Sequence, residues 1–137
     1  MIDLENEGKN APIEVLREMD AKKTGALIKA ACCMGCIVAG ADEKKIAAAA
    51  VFAENVGIAF QIVDDILDVT SSSEVLGKPV GSDENNSKST YVSLLGLEQC
   101  RALVKEYTHK AVESLSVFGG DVSYLADFAE SLAKREN

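Results

Sequence analysis

The stretch from Ile46 to Val69 constrains the fold of this chain more than any other segment. It is apolar on every face of a helix except at Glu54, Asn55, Gln61 and three aspartates. A helix of this kind is stable when other helices surround it, because an exposed helix carries a polar face along its whole length. Helix-favouring residues are abundant, aromatic residues make up 5% of the chain, and there are two Pro and no Trp. The sequence therefore predicts an all-α protein whose central element is a helix over residues 43–70.

Weaker apolar periodicities predict the helices that surround the central one. One helix is expected to begin near Pro12 and to end before Gly40, since Pro favours a first helical turn and Gly ends helices. A short helix is expected over Thr90–Leu95, a surface helix over 97–118 and a last helix over 122–132. Together these elements predict a bundle of helices around the central one.

The overall composition excludes several classes of protein. Lys and Arg number 14 against 22 Asp and Glu, which gives a net charge of −8 and no basic patch for nucleic acid. Polar residues interrupt the most apolar windows, so neither a signal peptide nor a membrane span is predicted. A chain of 137 residues is expected to form a single domain over 1–137.

The four cysteines are interpreted as buried free thiols. Cys32, Cys33 and Cys36 are close in sequence, but a zinc site needs a fourth ligand. The other candidates, Cys100 and His109, lie much later in the chain, on a surface helix. His109 is expected to be an ordinary surface residue. Free thiols indicate a reducing compartment, so the protein is predicted to be cytoplasmic.

Three aspartates near the end of the central helix are the strongest candidates for chemistry. Asp64 and Asp68 stand about 40° apart on one helical face, with about 6 Å between their Cα atoms along the axis; Asp65 lies at the edge of that face. Carboxylates at this spacing repel one another, and a divalent cation would offset the repulsion. Oxygen ligands favour Mg²⁺, Mn²⁺ or Ca²⁺, and Mg²⁺ leaves coordination positions for a diphosphate. The alternative is that these are solvated acids at a helix end.

A long loop is predicted directly after the aspartates, over residues 71–87. Lys78 and Lys88 bracket this glycine-containing segment, with Asp83 between them. Cations that follow a metal-binding helix suit an anionic ligand, which the metal and the lysines would hold together. Without the aspartates beside them, they would be interpreted as two ordinary loop lysines.

The run FQIVDDILD at 60–68 resembles the second aspartate-rich motif of the trans-isoprenyl diphosphate synthases. The similarity continues through LGKPVGSD at 76–83 and KSTYV at 88–92, and KTGAL at 23–27 is similar to the Lys-Thr motif of the family. Asp3-Leu4-Glu5 also resembles a segment of the family, so the resemblance covers essentially the whole chain. It is closest to the bacterial farnesyl diphosphate synthases, also called geranyltranstransferases.

The resemblance implies a fold and a reaction. The fold would be the all-α isoprenoid synthase fold, with a central cavity between the helices. Mg²⁺ ions held by two facing aspartate clusters would draw off the diphosphate of an allylic substrate. The carbocation would then alkylate isopentenyl diphosphate, giving farnesyl or geranyl diphosphate.

The resemblance also implies roles for particular residues. Mg²⁺ would be bound by Asp64 and Asp68, with Asp65 supporting them. The residues that would hold the allylic diphosphate are Lys23, Lys78 and Lys88. Thr24 and Gln61 would join Lys23 among the catalytic residues and line the pocket near the reacting carbons, where a polar dipole stabilises positive charge.

The sequence departs from the family in one large respect. These 137 residues hold one paired-aspartate motif, and the first motif of the family, its arginine pair and its N-terminal substrate segment are missing. The chain is therefore expected to be the C-terminal half of a synthase and inactive alone, and to form a homo-oligomer that covers its apolar surface. The alternative is a non-catalytic diphosphate-binding or regulatory subunit.

Overall fold

The computed structural model describes residues 13–70 and 90–135, and every regular element within them is helical. The prediction of an all-α protein is confirmed. The helices are α1 (Ile13–Asp20), α2 (Ala26–Val38), α3 (Glu43–Thr70), α4 (Tyr91–Leu95), α5 (Leu97–Ser114) and α6 (Ser123–Lys134). A π-helical segment (Ala21–Gly25) joins α1 to α2, and a 3₁₀ turn (Leu115–Val117) follows α5.

The long helix α3 is the central element, as its sequence predicts. It spans 28 residues and contacts each of the other helices. Its buried side is made of small and branched residues, which let neighbouring helices approach, and one Phe: Ala49, Phe52, Ala53, Val56, Gly57, Ala59, Ile62, Val63 and Ile66. The partners of α3 therefore determine where the residues of its C-terminal half lie.

Two apolar clusters hold α3 against α5. Near the aspartates, Ile62, Val63 and Ile66 pack with Tyr91, Cys100, Val104 and Tyr107, together with residues of α1. Toward the other end, Phe52 and Val56 pack with Ala111, Leu115 and Ala129. Because α5 runs along α3 through both clusters, the aspartate-bearing turns rest on a packed support.

By length and composition alone, α3 is the one helix among the described residues that could cross a membrane. Half of its most apolar stretch is buried against other helices of the chain. The core helix of a water-soluble protein passes the same test, so this property is weak evidence for a membrane span.

The first predicted helix, expected to run unbroken from Pro12 to Gly40, is interrupted, and its start at Pro12 lies outside the described residues. The structure ends α1 at Asp20 and inserts the π-helical segment Ala21–Gly25 before α2. The interruption lies where Gly25 is buried against Gly57 of α3. A Cβ placed on Gly57 would lie 3.3 Å from Gly25 Cα, which is closer than most Cβ contacts. The two backbones therefore approach closely enough to favour glycine at position 57.

The other helix ends follow local chemistry. The predicted short helix is present as α4, and Thr90 caps it in a reciprocal capping box with Ser93. Gly96 has φ +86° and separates α4 from α5, a conformation that favours glycine. The helix predicted over 97–118 ends earlier, because α5 passes into the 3₁₀ turn at Leu115 and the backbone is extended at Phe118. The last helix is close to its predicted range.

Large apolar side chains lie exposed on α2. Leu27, Met34, Ile37 and Val38 are between 60% and 87% exposed, and no residue of α2 is buried. We refer to these four residues as the α2 apolar face. Within the described residues, this helix packs on α3 and leaves that face to solvent.

The cysteines are all free, but only Cys100 is buried. The prediction of buried thiols is therefore wrong for the three cysteines of α2, which are partly exposed because that helix is covered on one side only. His109 has a side chain that is 78% exposed, which confirms that it is a surface residue.

Candidate active site

Asp64 lies on α3 with its carboxylate partly exposed. Its Oδ1 accepts a hydrogen bond from Nη2 of Arg135, which follows directly after α6. The same guanidinium group lies over the ring of Phe60, with 4.4 Å from Cζ to the ring centroid. Phe60 and Asp64 are one helical turn apart, so a single turn of α3 receives the end of the last helix.

Asp65 is directed toward α4 instead. Its Oδ2 accepts a hydrogen bond of 2.9 Å from the backbone N–H of Tyr91, the first residue of α4. Burial, and after it the charge of the Asp65 carboxylate, together raise the pKa of the nearby Cys100 thiol to about 11. Asp65 thus joins the end of α3 to the start of α4.

Asp68 lies one turn beyond Asp64, in the last turns of α3, and is partly buried. The two carboxylates provide oxygen donors on one side of the helix, which are the ligands that Mg²⁺ prefers. No three His, Cys, Asp or Glu side chains converge on a metal position anywhere in 13–70 or 90–135. The pair therefore fits one part of a magnesium site, in which other ligands come from substrate phosphate, water or further carboxylates.

Thr24 and Gln61 are brought together, although they are 37 positions apart in sequence. Gln61 Nε2 donates a hydrogen bond of 2.7 Å to Thr24 Oγ1. Thr24 belongs to the π-helical segment and Gln61 lies one turn before Asp64 on α3. Lys23 precedes Thr24 and is exposed. π-Helical turns often occur at functional sites, and this one presents the two residues of the Lys-Thr motif.

Gly25 and Gly57 explain how this contact forms. Gly57 lies one turn before Gln61, and its backbone approaches Gly25, the residue after Thr24. The close approach allows the short Thr24 side chain to reach the amide of Gln61. Sequence reasoning missed Gly57, for which the available signal was a glycine inside a long helical pattern.

Arg135 was also missed. In the sequence it is an isolated arginine at the end of the last helix, and its bond to Asp64 joins residues 71 positions apart. A lone cation near a C-terminus carries no pattern that identifies its partner. Lys78, Lys88 and Asp83 lie outside the described residues, so their predicted roles stay predictions.

Comparisons with known proteins show which family the chain matches. A sequence model of the polyprenyl synthetase family matches residues 1–119. The farnesyl diphosphate synthase of Escherichia coli is 40% identical over 139 residues, which cover 98% of this chain and 46% of that protein. The geranylgeranyl diphosphate synthase of Cyanophora paradoxa is 38% identical over 138 residues, which cover 100% of this chain and 46% of that protein.

A solved structure supports the fold independently. The heptaprenyl diphosphate synthase of Staphylococcus aureus superposes with a TM-score of 0.89 at 22% identity, over 98% of this chain and 54% of that one. The chain thus spans about half the length of the relatives it matches. Taken with the matched family model and the curated relatives, the helical fold and the aspartate-bearing α3 show that the chain belongs to the polyprenyl synthetase family.

Proposed function

We propose that this chain is the C-terminal portion of a prenyltransferase that condenses an allylic diphosphate with isopentenyl diphosphate to give farnesyl or geranyl diphosphate. The observation that carries the proposal is the grouping of Thr24, Gln61, Asp64 and Asp68 at one end of α3, with Thr24 and Gln61 joined by a 2.7 Å hydrogen bond. The relatives named farnesyl and geranylgeranyl diphosphate synthase support the same reaction class.

Asp64 and Asp68 would hold Mg²⁺. When bound, the ion supplies Lewis acidity toward the leaving diphosphate and a template for its position. Asp65 would support the metal site indirectly. Its carboxylate accepts a hydrogen bond from the N–H of Tyr91 and so holds α4 beside Asp64 and Asp68. Lys23, and with it Lys78 and Lys88, would bind the diphosphate charge.

Thr24 and Gln61 would act on the reacting carbons. An amide has one donor end and one acceptor end, and Gln61 uses its Nε2 donor on Thr24. Its Oε1 atom, the negative end of the amide dipole, is then kept in a fixed orientation for a substrate. An oriented dipole of this kind stabilises developing positive charge without reorganising during the reaction.

The test is a chimera that supplies the rest of a synthase. The part of the E. coli farnesyl diphosphate synthase that precedes its matched region would be fused to this chain. We expect the chimera to convert radiolabelled isopentenyl diphosphate and dimethylallyl diphosphate to longer prenyl products, and the 137-residue chain alone to form none. The reason is that the described residues supply carboxylates from one side only and form no complete metal site.

Two outcomes would contradict this proposal. A chimera that folds and binds both substrates without turnover would favour the non-catalytic, diphosphate-binding or regulatory subunit. Turnover by the 137-residue chain alone would show that one aspartate cluster is sufficient. The E. coli enzyme assayed in parallel is the positive control.

We further propose that the chain forms a homo-oligomer through the α2 apolar face and that it resides in the cytoplasm. Contiguous exposed apolar surface favours association, and four free thiols suit a reducing compartment. Sedimentation equilibrium at micromolar concentration should give a mass of at least twice 14.5 kDa. Replacing Leu27 and Val38 by Lys should shift the mass toward the monomer, whereas a stable wild-type monomer would contradict the oligomer.

A further inference from the structure

Arg135 is held on α3 by three separate interactions. Its Nη2 donates to Asp64 Oδ1 and lies 3.5 Å from the carbonyl oxygen of Phe60, and its guanidinium group lies over the Phe60 ring. The side chain is 23% exposed, whereas that of Asp64 is 44% exposed. A single cation thus occupies one side of the carboxylate through which we propose that metal is bound.

The surroundings of the Arg135 side chain both stabilise and destabilise it in this position. Its Nε is buried and makes no hydrogen bond with any of the described residues. A buried donor without a partner is unfavourable, because it loses its hydration and gains nothing in return. The ion pair with Asp64 and the contact with the Phe60 ring offset that cost, so loss of the pair favours release of the side chain.

A metal ion and Arg135 require the same carboxylate. A divalent cation bonded to Asp64 Oδ1 competes for the lone pairs that the guanidinium group uses, and on either oxygen it places two further positive charges beside the arginine. Both effects oppose simultaneous occupation. We propose that Arg135 is an internal counter-ion of Asp64 that a divalent cation displaces, so that metal binding frees residue 135 from the Phe60 turn. This inference rests on the metal role proposed for Asp64.

The proposal is tested by binding of Mn²⁺ to the 137-residue chain, with free Mn²⁺ counted by electron paramagnetic resonance. The Arg135→Gln variant removes the charge and keeps a polar side chain. Its affinity for Mn²⁺ should rise about five- to tenfold, the range expected when a partly exposed, charge-assisted pair no longer competes. Lys134→Gln is the matched control: it removes the same charge one residue earlier, from an exposed position, and should change the affinity less than twofold.

The outcomes separate this inference from the proposed function. Equal gains in both variants would mean that net charge alone acts, which would overturn the counter-ion role. Unchanged affinity in Arg135→Gln, with binding abolished by Asp64→Asn, would overturn the counter-ion role and leave the metal assignment standing. Absence of binding in every variant would overturn the counter-ion role in this chain, whereas the rate of the Asp64→Ala chimera decides the metal assignment.

A second measurement does not depend on affinity. Mg²⁺ should shift the ring resonances of Phe60 in the wild-type chain toward their positions in Arg135→Gln, because the guanidinium group leaves the ring. In Arg135→Gln itself, Mg²⁺ should shift those resonances much less. If Arg135→Gln unfolds, as judged by circular dichroism, Arg135→Lys replaces it as the reference for the ring resonances, since that variant keeps the charge but removes the guanidinium group from the ring. Wild-type Phe60 resonances that do not move at saturating Mg²⁺ would overturn the proposal.

Discussion

Replacing Asp64 by Ala in the chimera should lower kcat roughly a thousandfold. The carboxylate is one of two that would hold the metal on this wall of the cavity, and metal Lewis acidity contributes several kcal/mol of transition-state stabilisation. Each tenfold loss of rate corresponds to about 1.4 kcal/mol, so loss of about 4 kcal/mol gives a thousandfold. The measurement is the initial rate with radiolabelled isopentenyl diphosphate at saturating substrate and Mg²⁺.

Three variants make this result specific. Asp64→Asn keeps an acceptor for Arg135 and should be nearly as slow, which separates loss of the ligand from loss of the ion pair. Glu54→Ala removes an exposed carboxylate of α3 that pairs with Lys29 at 3.0 Å, and should retain the wild-type rate. Asp65→Ala should mainly lower stability, by about 1 kcal/mol, because it removes the hydrogen bond between the Tyr91 N–H and the Asp65 carboxylate. A decrease of less than tenfold in Asp64→Ala would exclude Asp64 as an essential ligand.

Replacing Gly57 by Val should destabilise the chain by about 2–3 kcal/mol, the range found when extra methyl groups are forced into a packed interface. Even a single Cβ would meet Gly25 Cα at 3.3 Å, and Val adds two further methyl groups against backbone that cannot rotate away. Because Gln61 is on the next turn, separation of the two backbones should also break its bond to Thr24. Urea denaturation followed by circular dichroism measures the loss.

Gly35→Ala is the matched control for this prediction. Nothing lies within 4 Å of a Cβ at Gly35, which is on the exposed helix α2. Ala should therefore raise the free energy of unfolding there by about 0.5–1 kcal/mol through its higher helix propensity. If Gly57→Val were as stable as wild type, the close approach would not restrain these helices.

Much of the helical framework could be predicted from the sequence. The helix over 43–70 was predicted at its observed bounds, because its flanks carry clear end signals and its apolar residues cover nearly all faces. The short helix α4 and the break at Gly96 were predicted for similar local reasons. Capping and turn residues act over a few positions, so a single sequence carries that information directly.

The contacts between helices were less predictable. The π-helical segment replaces the middle of a predicted continuous helix, because Gly25 meets Gly57 from another element. The end of α5 was misplaced for a comparable reason, since Leu115 is 2% exposed in a cluster with Phe52 and turns the chain there. Periodicity describes one helix at a time and gives no information about which residues meet across an interface.

The residues of the candidate site could be predicted from the sequence, but the contacts between them could not. Asp64, Asp65 and Asp68 stand out because they interrupt an apolar helix, and Thr24 and Gln61 were identified through the family resemblance. Their hydrogen bond, the distinct direction of Asp65 and the partner of Asp64 all depend on tertiary packing. No rule of residue spacing relates Arg135 to α3.

The π-helical segment also sets a rule for insertions and deletions in this part of the chain. A π-helical turn holds one residue more than an α-helical turn, so removing one residue from Ala21–Gly25 would restore an ordinary α-helix and keep α1 close to its present phase relative to α2. Removing a second residue would rotate α1 by about 100° about its axis. Leu16 and Met19, which are 6% and 7% exposed, would then turn out of the cluster around Ile62. For the packing of α1, the segment can therefore lose its one extra residue but not two.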